Sequence, residues 1–164
     1  GTLIHDDGFV HKVEDFKFQN NATQGLKLLK EKYKFFIITN QSGLALKKFT
    51  NEDLTNFNNH LINELKNQGI EIKKIYFCPH HPEENCECRK PNTKLIKQAE
   101  HEFNIDLKNS FMIGDKSKDC EMGNQVGTKS ILVLTGYGQQ FKDTNCNYIA
   151  QDLLDAANWI LKND

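Results

Sequence analysis

The chain has little that would draw a partner from a distance. No apolar run approaches the roughly 20 residues a membrane-spanning helix needs, and no secretory signal is recognisable at its start. Its 21 Lys and Arg against 22 Asp and Glu leave a formal net charge of -1, so no broad basic field favours nucleic acid. Repeats, low-complexity tracts and linkers are absent. The five cysteines follow no disulfide-scaffold spacing and fit a reducing compartment better. These absences leave a soluble, cytoplasmic protein as the expectation, with a monomer as its simplest state. A length of 164 residues matches one domain with a real core.

What is present is concentrated in one stretch, Cys78-Pro-His-His-Pro-Glu-Glu-Asn-Cys-Glu-Cys-Arg-Lys-Pro91. Cys78-x-His80 and Cys86-x-Cys88 are two close ligand pairs joined by a loop that Pro79 and Pro82 stiffen. Tetrahedral zinc takes four such S/N ligands, and a closed set leaves no position for a reacting water, so the expected metal is structural. His81 is an alternative to His80. The competing readings are four unrelated surface residues or a disulfide. Arg89 and Lys90 follow the last ligand directly, so a clamped loop would hold two cations in a fixed pose.

Along the rest of the chain, apolar strands alternate with amphipathic helices. Asn20 or Asn21 is placed to cap a helix carrying Ala22, Leu26, Leu29 and Tyr33. Phe35–Ile38 reads as a strand buried on both faces. Thr50–Asp53 is a capping signal ahead of Leu54, Phe57, Leu61 and Leu65, and Gly69 closes that helix. Further strands are expected at Ile75–Phe77, Phe111–Ile113 and Ile131–Leu134. Helices are expected around Leu95–Phe103, from Ser117, and after Asp152, the last with Leu153, Ala157, Ile160 and Leu161 facing inward. His5–Phe18 reads as loop with one short strand at most. The alternation predicts an α/β, doubly wound, Rossmann-like parallel sheet, in which ligands bind beyond the carboxyl ends of the strands.

The polar clusters fall at those ends. Thr39 follows a buried strand and can meet an oxyanion, or it is an ordinary turn residue. Asp115 follows Phe-Met-Ile-Gly and is either a metal carboxylate or a helix cap; Asp119 lies one turn on, with the same choice. Arg89 and Lys90 can equally be a solvated pair. Taken together, a hydroxyl, carboxylates suited to Mg²⁺ and a held lysine describe a phosphoryl-binding site.

Gly1-Thr2, Thr39-Asn-Gln-Ser-Gly43, the Cys-Pro-His-His-Pro…Cys-x-Cys-Arg-Lys-Pro stretch and Gly114-Asp-Lys-x-x-Asp119 occur in the order of the haloacid dehalogenase superfamily. The chain resembles its D-glycero-D-manno-heptose 1,7-bisphosphate phosphatases and their histidinol-phosphate phosphatase relatives over nearly its whole length. That resemblance implies a Mg²⁺-dependent phosphatase without a large cap domain, in a single domain spanning residues 1–164. It implies Thr39 and Lys90 as catalytic residues at the phosphoryl group, Asp115 as the Mg²⁺ carboxylate and Asp119 as a partner behind it. Asn40, Arg89 and Lys116 would contact a small phosphorylated sugar, and Cys78, His80, Cys86 and Cys88 would hold structural Zn²⁺. The family motif is Asp-x-Asp-Gly-Thr, whose first aspartate attacks phosphorus. Here the match starts at Gly1-Thr2, so nucleophile, acid/base and their strand lie outside the match, and unpaired strand edges facing a gap are expected. Asp6-Asp7-Gly8 is no substitute, because no buried strand precedes it. Leu44–Lys48 also departs from the pattern. A heptose bisphosphate is the expected substrate, with histidinol phosphate or non-catalytic binding of a phospho-ligand as alternatives.

Overall fold

The computed structural model describes residues 1–164. Five strands and five α-helices follow one another as α1 (Ala22–Leu29), β1 (Phe35–Asn40), α2 (Asn51–Asn67), β2 (Ile72–Cys78), α3 (Lys94–Phe103), β3 (Phe111–Gly114), α4 (Ser117–Val126), β4 (Lys129–Val133), β5 (Tyr148–Ala150) and α5 (Leu153–Asn163). All strand pairings are parallel. The strands form two sheets, β1-β2 and β3-β4-β5, with no ladder between them. An open cleft of about 1120 Å³ runs between the two, bounded by residues of β1 on one side and β3 on the other.

The helices begin and end where local chemistry dictates. Thr50 Oγ1 accepts the Asp53 amide while Asp53 Oδ2 accepts the Thr50 amide, at 3.1 and 2.8 Å, a reciprocal capping box that starts α2. Asp152 Oδ1 accepts the Asp155 amide at 2.9 Å and starts α5. The apolar stripes of α1, α2 and α5 meet the strands in one core in which Leu65, Ile70, Ile131, Val133 and Ile160 are almost wholly buried. Each such side chain contributes roughly 1.5–3 kcal/mol by leaving water. A smaller core of Tyr76, Cys78, Leu95 and Ala99 lies under the cysteine-rich loop.

Several expectations need correcting. Asn21 has a left-handed backbone (φ 61°) and its side chain does not cap α1; its amide donates instead to Asp152 Oδ2 at 2.6 Å, tying α1 to α5. Tyr33 lies beyond α1 and packs edge-on against Phe111. Strand β1 is half-buried along its length, because its outer edge meets the cleft and not another strand. Leu161 is 43% exposed, one residue beyond the inward-facing Ile160. The three-residue β5 carries too little pattern to be read in advance. Residues 4 and 18 form a single antiparallel bridge, the whole strand content of the opening loop.

The cysteines give the clearest correction. Cys120 and Cys146 form a disulfide that joins α4 to the segment before β5. Their separation of 26 residues has no local signature, since only the return of the chain beside α4 brings them together.

Candidate active site

Because the strands are parallel, β1, β2, β3 and β4 end on the same side. Asn40 pairs with Cys78 and Gly114 with Leu132 at those ends. Thr39, Asn40, Arg89, Lys90, Asp115, Lys116 and Asp119 all line the cleft there. Seven residues scattered over some eighty positions thus face one space.

Lys90 is the most constrained of them. Its ammonium donates to the Ile38 carbonyl at 2.7 Å and pairs with Asp119 Oδ1 at 2.6 Å, with both side chains largely buried. Its main-chain N–H donates to Asn40 Oδ1 at 3.0 Å, and Asn40 Nδ2 reaches back toward the Lys90 carbonyl at 3.4 Å. The Asn40 amide therefore clamps the lysine's backbone. Asp119 Oδ2 meanwhile accepts the Lys116 amide at 3.1 Å, so one carboxylate starts α4 and neutralises Lys90. Removing either member of such a buried pair leaves an uncompensated charge, at a cost of roughly 3–5 kcal/mol.

Asp115 is buried and held by two donors: Thr2 Oγ1 to Oδ1 at 3.0 Å and the Tyr137 amide to Oδ2 at 3.1 Å. Thr135 Oγ1 adds a bond to the Gly1 carbonyl at 2.8 Å. Gly136 makes this crowding possible: its φ is +55°, and a Cβ there would lie 2.6 Å from Asp115 Oδ2 and 2.4 Å from the Gly1 Cα. A hard oxygen donor fixed beside a cleft suits Mg²⁺, which takes one or two carboxylates and completes its shell with water and phosphate. Thr2, Thr135 and Tyr137 were not among the expected site residues; only the strand-end rule applied to β4 could have pointed to the latter two.

Two groups stand ready for an anion. Thr39 Oγ1 accepts from Gln41 Nε2 at 3.2 Å, which leaves its hydroxyl hydrogen to donate. Arg89 Nη1 is buried in the cleft wall with no hydrogen-bond partner. A charged donor in that state costs free energy unless a ligand satisfies it. Asp6 Oδ1, by contrast, accepts the Gly8 amide at 3.0 Å within a local turn.

Behind the cleft wall, Cys78, His80, Cys86 and Cys88 converge with their ligand atoms all within 4.8 Å of one another. The sulfur–sulfur distances are 3.4 Å (Cys78–Cys86) and 3.7 Å (Cys86–Cys88). His80 Nδ1 lies 3.5 and 3.1 Å from Cys78 and Cys88. Sulfurs bound at about 2.3 Å around a tetrahedral ion stand about 3.8 Å apart, so the four atoms already form nearly the polyhedron that zinc requires. His81 lies outside this set; its amide is turned to Glu84. Burial, helped by a hydrogen bond with Cys88, pushes the Cys78 thiol up to about 12. Cys86 lies below its ordinary value: burial raises it, but hydrogen bonds from the Cys78 thiol and the Arg89 amide outweigh that. Metal binding here would displace thiol protons.

Residues 87–156 match the family model described as "HAD-hyrolase-like". The chain is 38% identical over 146 residues to a D-glycero-beta-D-manno-heptose-1,7-bisphosphate 7-phosphatase of Yersinia pestis, covering 83% of this chain and 77% of that one. It is 44% identical over 137 residues to the protein of the same name from Helicobacter pylori strain J99, covering 82% and 79%. Among solved structures it superposes with a TM-score of 0.92 on a D,D-heptose 1,7-bisphosphate phosphatase from B. bronchiseptica complexed with magnesium and phosphate. That match has 26% identity and covers 100% of this chain and 95% of the other.

Proposed function

The chain belongs to the heptose-bisphosphate phosphatase family of the HAD-like hydrolases, and from that membership we propose that it removes the C7 phosphate of D-glycero-D-manno-heptose 1,7-bisphosphate. The observation that carries the proposal is the grouping of Thr39, Lys90, Asp115 and the unpartnered Arg89 at one cleft.

The roles follow from the contacts. The Thr39 hydroxyl donates to a phosphoryl oxygen. Lys90, oriented by Asn40, Ile38 and Asp119, balances charge beside the transferring group. Asp115 would hold Mg²⁺, which when bound would supply positive charge at the phosphoryl group. Arg89 and Lys116 receive the remaining anionic part of the substrate. The attacking group is proposed to be an aspartate on a strand N-terminal to Gly1. Supporting this, Gly1 lies against Asp115, and the cleft between β1 and β3 has unpaired strand edges on both walls. The aspartate oxygen forms a bond to phosphorus as the ester P–O bond breaks, and the sugar oxygen takes a proton from the second aspartate of the family's Asp-x-Asp motif, which later takes one from the attacking water. Water then cleaves the acyl phosphate, dividing one hard displacement into two easier ones.

Zinc is proposed for the Cys78-His80-Cys86-Cys88 cluster, in a structural role, because the set is closed and leaves no position for water. A cytoplasmic, monomeric enzyme acting on a free phosphosugar, without nucleic acid or membrane partners, completes the reading; sedimentation and cell fractionation test that part. No helix is long and apolar enough to cross a membrane.

The test is phosphate release by the full-length protein with Mg²⁺, from heptose 1,7-bisphosphate and from histidinol phosphate. A kcat/KM at least about tenfold higher for the bisphosphate is expected, and Asp115→Asn should remove Mg²⁺-dependent turnover. Preference for histidinol phosphate would overturn the substrate assignment, and no turnover of any phosphate ester would overturn the enzyme.

A further inference from the structure

Tyr137 stands in the tight turn after β4 and touches the site twice. Its main-chain N–H holds Asp115 Oδ2 at 3.1 Å. Its ring lies beneath the next residue of the opposite segment, with the Lys116 ammonium 4.2 Å from the ring centroid. The turn has little freedom to place it elsewhere. A Cβ at Gly136 would collide with Gly1 and Asp115, and one at Gly138 would come within 1.9 Å of the Val133 carbonyl.

Lys116 differs from the other cations of the cleft. Lys90 is matched by Asp119 and a carbonyl, and Arg89 is fixed in a buried wall. Lys116 is exposed, and the aromatic face is the contact its ammonium makes. A lysine on a four-carbon stem is a mobile point charge, and a cation over an aromatic ring keeps its charge while losing that mobility. The ring leaves the ammonium unneutralised, so it can still meet an anion.

We infer that Tyr137 is a positioning residue that holds Lys116 at the cleft so that its ammonium receives an anionic group of the substrate. This rests on the phosphatase reading above and extends it to a residue that touches no reacting atom. The chemistry separates the two contacts. Substitution of the side chain removes the ring but keeps the main-chain N–H, so Asp115 stays held and the loss falls on binding.

The experiment measures kcat and KM of the full-length enzyme as wild type, Tyr137→Leu, Tyr137→Phe, Lys116→Ala and the Tyr137→Leu/Lys116→Ala double variant. Tyr137→Leu should raise KM roughly fivefold, the effect of an ordinary cation–π contact, with kcat within about twofold of wild type. Tyr137→Phe, which keeps the ring, should restore KM. In the Lys116→Ala background, Tyr137→Leu should add nothing, because the ring acts through the lysine. A Tyr137→Phe variant as impaired as Tyr137→Leu, or a Tyr137→Leu effect undiminished without Lys116, overturns the inference.

A second measurement needs no turnover. The methyl resonance of ¹³C-dimethylated Lys116 should be shifted by the ring current in wild type and Tyr137→Phe, and return to its ordinary position in Tyr137→Leu. An unshifted resonance in wild type overturns the inference as well. An inert wild-type enzyme with a shifted Lys116 resonance overturns the phosphatase reading and, with it, the substrate role given to Lys116, while the ring contact itself stands.

Discussion

The Asn40 amide gives both its polar atoms to the main chain of Lys90, fifty residues away in sequence. The family resemblance implies that Asn40, the last residue of β1, contacts substrate. The structure gives it an additional task, fixing the segment from which the Lys90 ammonium projects. Asn40→Ala should therefore lower kcat by roughly 10–100-fold, since a displaced charge near 1 Å from its working position costs about that much. Steady-state kinetics check this, with Mg²⁺ affinity unchanged because Asp115 is untouched; a change confined to KM would return Asn40 to a purely substrate-contacting role. Asp119 is read the same way. It was open to two roles, starting a helix or facing the site, and its two oxygens divide them.

At the scale of elements, the loop between β2 and α3 has the composition of a metal site and a few polar ties, among them Asn92 Nδ2 to the Cys86 carbonyl at 2.7 Å and the His81 amide to Glu84. Glu83, Glu84 and Asn85 are exposed, and the few apolar contacts come from Cys86 and Cys88 on the small core below. A metal held by the four ligands would add to its order. Removing the metal with a chelator should lower the melting temperature by several degrees and reduce activity, because Arg89 and Lys90 follow Cys88 directly. Calorimetry and phosphate release on the same samples check this, and full activity in zinc-free, Mg²⁺-replete protein would count against the coupling. The Cys120–Cys146 disulfide is independent of that loop and secures the first turns of α4, the helix that carries Asp119. The helices themselves were the most legible elements, because apolar residues at helical spacing need a core wherever that core is. Their caps were legible when local, as at Thr50 and Asp152. Asn21 was not, because its partner lies 131 residues away.

At the scale of the whole molecule, the two sheets face each other across the cleft with the edges of β1 and β3 unpaired. A proposed strand N-terminal to Gly1 would hydrogen-bond to both, and its last residues would arrive beside Asp115. Hydrogen exchange offers a direct check. In protein that includes residues upstream of Gly1, main-chain amides of Phe36, Ile38 and Ile113, which point away from β2 and β4, should be strongly protected; in a chain beginning at Gly1 they should exchange far faster. Equal exchange in the two would mean that no strand fills the cleft.

The parallel α/β class, the loop that gathers four metal-type ligands and the strand ends that carry the candidate site were determined by the sequence itself. Hydrophobic period and ligand spacing are local, and parallel strands must end on one side. The tertiary structure alone decided the contacts between distant residues: Asn40 on Lys90, Asn21 on Asp152, Cys120 on Cys146, Tyr137 under Lys116. Each joins groups that no local pattern relates, because a hydrogen bond, a disulfide or a ring contact depends on where the chain returns and not on the residues between.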